Sequence, residues 1–594
     1  MSNELKHSFM NIINKTDLMK TVRPVIFLVL LLGFSILSAA QSKDQGFEIL
    51  KNLDIYSTLI KELNSNYVDD INPGEITKAG IDAMLESLDP YTVYIPESEI
   101  EDYRFITTGE YGGIGALIHQ QGEFVVISEP YEGSPAQKSG LEAGDKILEI
   151  NGQTAKGKTY SDVSAILKGQ AGTSITMKVL RDDDPEPIEK TITREVIKID
   201  NVPYFGMVDQ DIGYIKLTSF TQNAAQEVKK AFQKLRESAT LKGIIIDLRS
   251  NGGGLLNEAV DISSLFVEKG VEIVTTKGKV SDKNRTYRTT SGPVDPDIRL
   301  VILVDGESAS ASEILAGAMQ DLDRGVIIGQ RTFGKGLVQN VVPLSYNSQM
   351  KVTVAKYYIP SGRCIQAIDY SHKNKEGTFS AFPDSLITAF RTKNGRTVYE
   401  GRGIVPDIRV RTERFSNIAL ALYSKYLIFD YATKYHHDHP TIPPADQFQI
   451  TDDLFQDFVT FLDGKNYDYK TRSEEALDIL RKDAEKEHYF DAIKTEYEAL
   501  KAQMEKDKKG DMLKHRDQIE KLLKIEIASR YYFQKGKVMA SLKDDDDVNR
   551  AIATIRDNGL YLSVLNGAYK QPQSEIDESN GDGEPDLFPQ PVNE

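Results

Sequence analysis

The sequence predicts an α/β core that follows a small helical segment and a compact β-rich domain and that precedes a helical region. Strand and helix patterns alternate from about Ile212 to Val410, and apolar runs such as Leu300 to Val304 are typical of strands buried on both faces. Short β-rich runs fill the span from about Arg104 to Arg181. In an α/β core, functional residues are expected at the carboxyl ends of the strands, where loops meet helix N-termini.

The composition is that of a multidomain globular protein with an acidic surface. The 594 residues include 72 Lys and Arg against 89 Asp and Glu, which gives a formal net charge of −17 and argues against nucleic acid as a partner. Cys364 is the single cysteine, which excludes an intrachain disulfide, a CxxC zinc site and a redox pair. His436, His437 and His439 have no matching ligand pattern elsewhere, so no metal or other cofactor is expected.

The N-terminus has the layout of a secretory signal. A basic region precedes an apolar run from Val25 to Leu37, and small residues follow it up to Ala40. The run is shorter than the ~20 residues of a comfortable membrane helix, which favours cleavage after Ala40 over an uncleaved anchor. We therefore expect an exported protein of the bacterial periplasm or cell envelope, with anchoring through this segment as the alternative.

Periodicity places the elements in order along the chain. Apolar residues recur at helical spacing from Phe47 to about Leu88. In the β-rich part we expect strands over 115–119, 124–128, 146–150 and 175–180, and helices over 135–139 and 161–168. In the core we expect strands over 213–217, 243–248, 300–304, 325–329 and 350–358, and helices over 224–237, 256–267 and 311–322. The stretch from Arg414 to Tyr569 is predicted mostly helical, with disorder after Gln571.

Three serines, Ser308, Ser310 and Ser312, follow a predicted core strand and open a helix. A strand, a tight turn and a helix place a hydroxyl at a helix N-terminus, where free N–H groups and the helix dipole favour developing negative charge. This arrangement suits a nucleophile. The alternative is that these serines only cap the helix.

Lys335 lies between two glycines, directly after the predicted strand 325–329. A lysine enclosed there loses hydration, and its pKa falls from ~10.4 toward neutrality. The neutral amine can accept the proton of a serine hydroxyl, so no histidine is needed. Only His119 and His372 lie near the β-rich and core regions, and neither is in a loop beside the serines.

A third candidate loop, Asp247 to Gly254, also follows a core strand and leads into a helix. Its three successive glycines let backbone N–H groups approach a ligand closely, as an oxyanion hole requires. A simple flexible turn is the alternative.

These three motifs, in this order, resemble the C-terminal processing peptidases, the tail-specific protease family of PDZ-containing serine–lysine enzymes of the S41 type. The resemblance covers about residues 47–412 and implies a crotonase/Clp-like β-α spiral for the core, with an inserted PDZ domain. The helical region beyond is similar only loosely. The matching segments are 247–256, 308–317, 332–339, 357–363 and 401–407.

Carried over by position, the resemblance implies Ser310 as the nucleophile, Lys335 as the general base and Gln339 as the residue that orients the lysine. Spacing alone does not choose Ser310 among the three serines. The resemblance also implies that the N–H groups of Gly253 and Ala311 form the oxyanion hole.

The family also implies that residues 111–116 form the carboxylate-binding loop of the PDZ domain, with Gly113, Ile114 and Gly115 as peptide-binding residues. Successive backbone N–H groups can hold a free C-terminal carboxylate while the peptide adds as a strand to the sheet edge. A glycine-rich hairpin without a ligand is the alternative. The expected partners are protein or peptide substrates with free C-termini; an adaptor protein and a homo-oligomer stay open, and no nucleic acid is expected.

The predicted function is that of a serine endopeptidase that cleaves proteins recognised near their C-terminus, with a Ser–Lys dyad that the PDZ domain gates or assists. The predicted parts are a signal peptide or membrane anchor (1–40), an N-terminal helical segment (41–100), the PDZ domain (101–185), the serine–lysine peptidase core (186–412), a C-terminal helical region (413–570) and a disordered acidic tail (571–594).

Two other functions match parts of the sequence. Residues 329–336 nearly fit the phosphate-binding P-loop of a nucleotide hydrolase, but Gly336 stands where the magnesium-binding Ser or Thr is required. A non-catalytic PDZ adaptor is the second alternative, which the presence of both Ser310 and Lys335 disfavours.

Overall fold

The structure, a computed structural model, describes residues 46–572 except 182–183, 185, 374–376 and 412–413. The predicted signal lies outside the described residues, as does nearly all of the predicted acidic tail. The chain divides into two compact units, residues 1–87 and 88–594. Within the described ranges, no helix is both long enough and apolar enough to cross a membrane.

The described part of the first unit is helical, as predicted. It contains α1 (46–66) and α2 (Pro73–Glu86). The side-chain oxygen of Asn72 accepts a hydrogen bond from the Gly74 N–H at 3.0 Å, and Pro73 takes the first helical position, where the N–H that proline lacks has no helical acceptor. Several apolar side chains of α1 are exposed, among them Phe47 and Leu50.

The second unit begins with the β-rich domain, whose predicted strands and helices are confirmed. Its main sheet is antiparallel, and Ser134 and Thr159 cap the helices that begin at Pro135 and Tyr160 by accepting N–H groups three residues ahead. The elements from Val93 to Lys198 are β1 (Val93–Ile95), which belongs to a sheet of the core, and then α3 (Ile100–Thr108), β2 (Glu110–Gly113), β3 (Ala116–Gln121), β4 (Phe124–Pro130), α4 (Pro135–Lys138), β5 (Lys146–Ile150), β6 (Gln153–Thr154), α5 (Tyr160–Leu167), β7 (Ser174–Leu180), β8 (Ile188–Thr193) and β9 (Glu195–Lys198). The strand order of the main sheet is β3-β4-β5-β7-β8, with β6 beside β5.

The predicted α/β core follows. Its elements are β10 (Tyr204–Asp209), β11 (Ile212–Lys216), α6 (Ala224–Ser238), β12 (Gly243–Asp247), α7 (Leu256–Ser263), β13 (Glu272–Gly278), β14 (Arg285–Arg288), β15 (Arg299–Val304), α8 (Ala311–Asp321), β16 (Gly325–Gly329), β17 (Leu337–Pro343), β18 (Gln349–Tyr358), β19 (Ile368–Lys373), β20 (Phe379–Ala381), β21 (Ala389–Arg391), β22 (Thr397–Tyr399) and β23 (Ile408–Arg409). The central sheet has the order β10-β11-β12-β15-β16-β23, and every pair except β10–β11 is parallel. A second sheet has the order β1-β18-β13-β14, with β17 also beside β18.

The C-terminal region is helical, as predicted. Its helices are α9 (Asn417–Ser424), α10 (Leu427–Asp438), α11 (Asp452–Phe461), α12 (Arg472–Lys486), α13 (Phe490–Lys508), α14 (Asp511–Lys514), α15 (Arg516–Ser541), α16 (Asp546–Arg556) and α17 (Asn558–Leu565). Short 3₁₀ turns lie at Glu97–Glu99, Ser281–Lys283, Asp384–Leu386 and Leu542–Asp544.

Both faces of the central sheet are buried. Apolar residues of α6, α7 and α8 form one hydrophobic core with the sheet. On the other face, Val548, Ala551 and Ile555 of α16 pack with Ile245, Val301 and other inward side chains of the sheet. The last two helices therefore belong physically to the core, although the predicted domain boundary at 413 stays a prediction.

Helix α7 is shorter than the predicted span 256–267. It ends at Ser263, and the hydroxyls of Ser263 and Ser264 donate to carbonyls four residues earlier, a contact that slightly destabilises the last turn of a helix. The carbonyl of Phe266 accepts a hydrogen bond from the Arg324 side chain instead of a helical N–H.

The β-rich domain contacts the helical region. The ring of His119 on β3 stacks on Tyr426 with 4.1 Å between centroids and meets Phe429 edge-on at 4.8 Å. Glu129 on β4 accepts a hydrogen bond from Gln534 at 2.7 Å and pairs with Lys537 at 3.2 Å. These contacts fix the β-rich domain against α10 and α15.

Candidate functional site

The three candidate loops meet at one edge of the central sheet. Each follows the carboxyl end of a parallel strand, and β12, β15 and β16 are neighbours in that order, so their loops are adjacent. Together they border a cavity of about 670 Å³. Its lining includes Tyr103, Ile106, Gly252, Gly253, Gly254, Leu256, Ser310, Ala311, Ile314, Lys335, Val338, Gln339, Lys351 and Tyr357.

The three serines differ in what their hydroxyls contact. The Ser308 hydroxyl donates to the Leu248 carbonyl at 2.8 Å, and the Ser312 hydroxyl donates to the Asn251 carbonyl at 2.8 Å, and both serines are buried. Ser310 is half-buried and lines the cavity. Of the three serines, Ser310 is therefore the one that borders the cavity and whose hydroxyl does not donate to a buried carbonyl.

Ser310 has an unusual backbone conformation. Its φ of 56° and ψ of −111° lie in a region that residues other than glycine rarely adopt. Such strain persists only where the surrounding structure fixes it, and it is concentrated at functional sites. Here the Ser310 N–H donates to the Glu313 carboxylate at 2.8 Å, which holds the turn.

The carboxylate of Glu313 joins the serine turn to the lysine loop. Besides Ser310, it accepts hydrogen bonds from the N–H groups of Gly334 at 2.7 Å and Lys335 at 2.9 Å and from the Thr332 hydroxyl at 2.5 Å. Burial raises the pKa of Glu313 to about 7, although the four donors favour its ionised form. A buried carboxylate with this many donors fixes the serine turn and the lysine loop, which follow two neighbouring strands, relative to each other.

The glycines beside Lys335 are needed for close packing. A Cβ on Gly334 would lie 2.4 Å from the Ala367 Cβ, and one on Gly336 would lie 2.7 Å from the Gln366 N. The Gly336 N–H donates to the Gln366 side-chain oxygen at 2.7 Å. Since the N–H groups of residues 334–336 all donate to buried side chains, this loop does not offer the cradle of free donors that a P-loop uses for phosphate.

Lys335 is enclosed by aromatic and basic side chains. Its Nζ lies 4.1 Å from the centroid of the Tyr91 ring, and Lys351 lines the same cavity. Burial, and next the positive charge of Lys351, lower the pKa of Lys335 to about 8. The Tyr357 hydroxyl donates to the carbonyls of Lys335 and Ser310, at 2.6 and 3.2 Å, and so ties the backbones of the two residues together.

Gln339 lines the cavity, and its side-chain nitrogen donates to the Thr353 hydroxyl at 3.1 Å. Both residues lie on the paired strands β17 and β18. In this conformation the side-chain nitrogen of Gln339 thus contacts Thr353, and the orientation of Lys335 by Gln339 stays a prediction.

The glycine loop lies against the serine turn. A Cβ on Gly253 would lie 2.8 Å from both the Ala311 N and the Ser310 Cβ, and the φ of Gly253 is 101°. Ala311 is the first residue of α8, so its N–H has no acceptor within the helix. The Gly253 N–H donates to the Asn251 side-chain oxygen at 2.9 Å, so in this conformation that donor is already engaged.

The predicted carboxylate-binding loop connects β2 to β3. The carbonyls of Ile114 and Gly115 accept hydrogen bonds from Ala136 at 2.8 Å and Tyr131 at 2.9 Å, and Gly113 ends β2. Strand β3 is at the edge of its sheet, and α5 contacts it. An edge strand beside a helix is the setting in which a peptide can add as a further strand.

The histidine cluster is involved in aromatic contacts. His439 stacks on Tyr435 with 4.0 Å between centroids, and His436 meets Tyr531 edge-on at 4.7 Å. Across the described residues, no group of three or more His, Cys, Asp or Glu side chains could hold a metal ion.

Sequence reasoning missed four residues of this site: Glu313, Tyr357, Tyr91 and Lys351. Glu313 had a signal, because Ser310 and Glu313 have the S-x-x-E spacing of a helix start. The other three reach the site from strand β18 or the turn before β1. Tyr357 stands in the segment 357–363 that resembles the family, but the resemblance gave it no role, and no local pattern marks Tyr91 or Lys351.

Three sequence profiles match the chain. Peptidase family S41 matches residues 211–371, PDZ domain matches 126–181, and Probable PDZ-protease, C-terminal helical domain matches 418–555. The first match contains all three candidate loops, and the second contains most of the β-rich domain.

Two curated relatives and one solved structure are similar to the chain. A carboxy-terminal-processing protease of Bartonella bacilliformis is 35% identical over 354 residues, which cover 58% of this chain and 81% of that protein. A probable CtpA-like serine protease of Staphylococcus aureus is 33% identical over 316 residues, 53% of this chain and 62% of that protein. The solved photosystem II D1 C-terminal processing protease is 28% identical, covers 59% of this chain and 91% of its own, and has a TM-score of 0.33.

The Bartonella relative is identical to this chain at 35% of the aligned positions over four fifths of its own length, and the peptidase family S41 match contains the candidate loops. The chain therefore belongs to the C-terminal processing proteases of peptidase family S41.

Proposed function

We propose that this protein is a serine endopeptidase in which Ser310 is the nucleophile and Lys335 is the general base. The observation that carries the proposal is that Ser310 and Lys335 border the same cavity. Ser310 is the one serine of the turn whose hydroxyl has no bond to a buried carbonyl, and the pKa of Lys335 is lowered to about 8. A lysine with that pKa is partly neutral near pH 7 to 8 and can act as a base.

The proposed reaction has two halves. The neutral Lys335 amine takes the proton of the Ser310 hydroxyl as its oxygen attacks the peptide carbonyl, and the resulting ammonium gives that proton to the leaving amine. The product of this half is an acyl ester on Ser310. In the second half, water attacks the ester, Lys335 accepts a proton from the water, and that proton returns to Ser310 as the acid product leaves.

The oxyanion that forms in each half needs donors that point at it. The N–H of Ala311 at the start of α8 is suitable, since it has no helical acceptor and the helix dipole favours negative charge there. We propose the Gly253 N–H as the second donor. It must leave the Asn251 side chain to serve, so catalysis in our proposal includes a small rearrangement of the loop 249–254.

We further propose that the PDZ domain reads the free C-terminus of the substrate through residues 113–115. The edge position of β3 supports strand addition, and backbone donors of the loop suit a carboxylate. The Vibrio cholerae carboxy-terminal protease has a PDZ domain that was solved in complex with peptide. An adaptor protein and a homo-oligomer stay open.

Replacing Ser310 with Ala should reduce cleavage of an unstructured protein such as casein to background, because only the nucleophile is lost. Ser308→Ala is the matched control. It removes a hydrogen bond to the Leu248 carbonyl and should cost about 1–3 kcal/mol of stability, but it should retain turnover. A dead Ser308→Ala variant that folds, or an active Ser310→Ala variant, would contradict the assignment of the nucleophile. A wild-type chain that cleaves no faster than Ser310→Ala would instead favour the non-catalytic adaptor.

The kcat/KM of the wild-type chain should rise with pH through an apparent pKa of about 8, because Lys335 must lose its proton before it can act as base. Lys335→Arg should be inactive across this range, since a guanidinium stays protonated. Lys356→Arg, on an exposed position of β18, is the matched control and should keep both the rate and the profile. Turnover in Lys335→Arg would exclude Lys335 as the base. A midpoint near the ~10.4 of a free lysine would contradict the lowered pKa on which the proposal depends.

Amidation of a peptide substrate at its C-terminus should lower kcat/KM by about 10- to 150-fold, because a charge-assisted hydrogen bond to the carboxylate is lost. Acetylation of the N-terminus of the same peptide changes its charge by one unit as well and should leave the rate unchanged. Equal cleavage of the free and amidated peptides would show that the PDZ loop does not read the carboxylate, while the serine–lysine chemistry would stand.

A further inference from the structure

Arg249 begins the glycine loop, and its guanidinium contacts carboxylates on two sides. On the side of the core, Nε and Nη2 donate to Asp247 at 3.0 and 2.7 Å. On the other side, Nη1 and Nη2 donate to Asp545 at 3.0 and 2.7 Å, and Nη1 donates to Asp547 at 2.9 Å. Asp545 is the N-cap of α16, and Asp547 lies in its first turn. A helix some 300 residues later in the chain is thus bonded directly to the candidate oxyanion loop.

These ion pairs are largely withdrawn from water. The side chains of Arg249, Asp545 and Asp547 are 19%, 16% and 14% exposed. Charge pairs at this depth are screened far less than surface pairs, and removal of one partner leaves an unpaired charge. Lys216 adds a second cation, 3.2 Å from Asp247, and donates to the Arg249 carbonyl at 2.9 Å.

The backbone of residues 249–253 links Arg249 to the candidate oxyanion donors. The Asn251 carbonyl, two residues on, accepts hydrogen bonds from the Ala309 N–H at 3.1 Å and the Ser312 hydroxyl at 2.8 Å. Gly253 then packs against Ser310 and Ala311. A shift of Arg249 would therefore move the donors relative to the nucleophile.

Simple attachment of α16 to the core does not require these charges. Val548, Ala551 and Ile555 are buried against the central sheet, which already holds the helix in place. The carboxylates are at the end of α16 that faces the glycine loop. At the other end, Arg556 pairs with Asp209 of β10, and the Arg556 side chain is 59% exposed.

We propose that Asp545 and Asp547 are positioning residues of the peptidase reaction, which hold the loop 249–254 through Arg249 in the geometry that the oxyanion hole requires. This inference rests on the proposed function. It assigns the C-terminal helical region a part in catalysis, because the active-site loop is incomplete without the start of α16.

The test compares kcat and KM for casein cleavage by the full chain and its variants. The double variant Asp545→Asn/Asp547→Asn keeps side-chain acceptors, including a competent N-cap, but removes both charges. It should lower kcat by about 10- to 100-fold with KM changed less than about 2-fold, because a misplaced donor acts on the transition state. Asp209→Asn removes one charge at the far end of α16 and should leave kcat within about 2-fold.

A double-mutant cycle separates positioning from general stabilisation. In an Arg249→Lys background, which already lacks the forked guanidinium, the two Asn substitutions should lower kcat by less than about 3-fold more. Loss of kcat that is equally large in both backgrounds, a change in KM alone, or unchanged kcat would overturn the proposal. If the double variant does not fold, Asp547→Asn alone, which removes a single contact to Arg249, is compared in the same cycle with the same criteria. A wild-type chain no more active than Ser310→Ala would instead overturn the proposed function.

Discussion

The candidate site depends on one buried carboxylate. Glu313 accepts four hydrogen bonds, and three of them come from the backbone N–H groups of Ser310, Gly334 and Lys335. A buried carboxylate is costly unless donors surround it, so the fold that buries Glu313 must also bring these segments together. The Tyr357 hydroxyl reinforces the same arrangement from the other side by donating to the carbonyls of Ser310 and Lys335. The relative position of serine and lysine is thus set by their backbones.

The sheet topology explains why these segments can meet at all. Parallel strands β12, β15 and β16 are neighbours, so the loops that follow their carboxyl ends share one edge of the sheet. Helices on both faces keep the strands buried, and the second layer comes from α16 and α17 at the end of the chain. The second face of the sheet is therefore covered only when α16 and α17 pack against it.

Much of this could be predicted from the sequence, because burial on both faces and period-2 alternation give strong local patterns. The core strands and the β-rich domain follow from such patterns, and the N-terminal helical segment follows from apolar residues at helical spacing. The role of Ser310 came from the family resemblance, since spacing treats Ser308, Ser310 and Ser312 alike. Only the structure shows that two of these hydroxyls are bonded to buried carbonyls.

The rest depends on contacts between distant segments, which no local pattern encodes. Tyr91 lies against Lys335 from more than two hundred positions earlier, and Arg249 meets Asp545 from nearly three hundred positions earlier. The engagement of the Gly253 N–H by Asn251 depends on the rotamer of one side chain. At the end of α7, two buried serine hydroxyls donate to carbonyls four residues earlier, and the sequence pattern does not show these bonds.

The most direct test of this account is the pKa of the Lys335 amine itself, measured by NMR titration of lysines labelled with carbon-13 at Cε. The Lys335 resonance is assigned by comparison with Lys335→Arg, and Ser310→Ala keeps the protein from digesting itself during the titration. The account predicts a midpoint of about 8 for this lysine while exposed lysines titrate near 10.4. A Lys335 midpoint at or above that of the exposed lysines would contradict it, because the amine would then be protonated whenever the enzyme works.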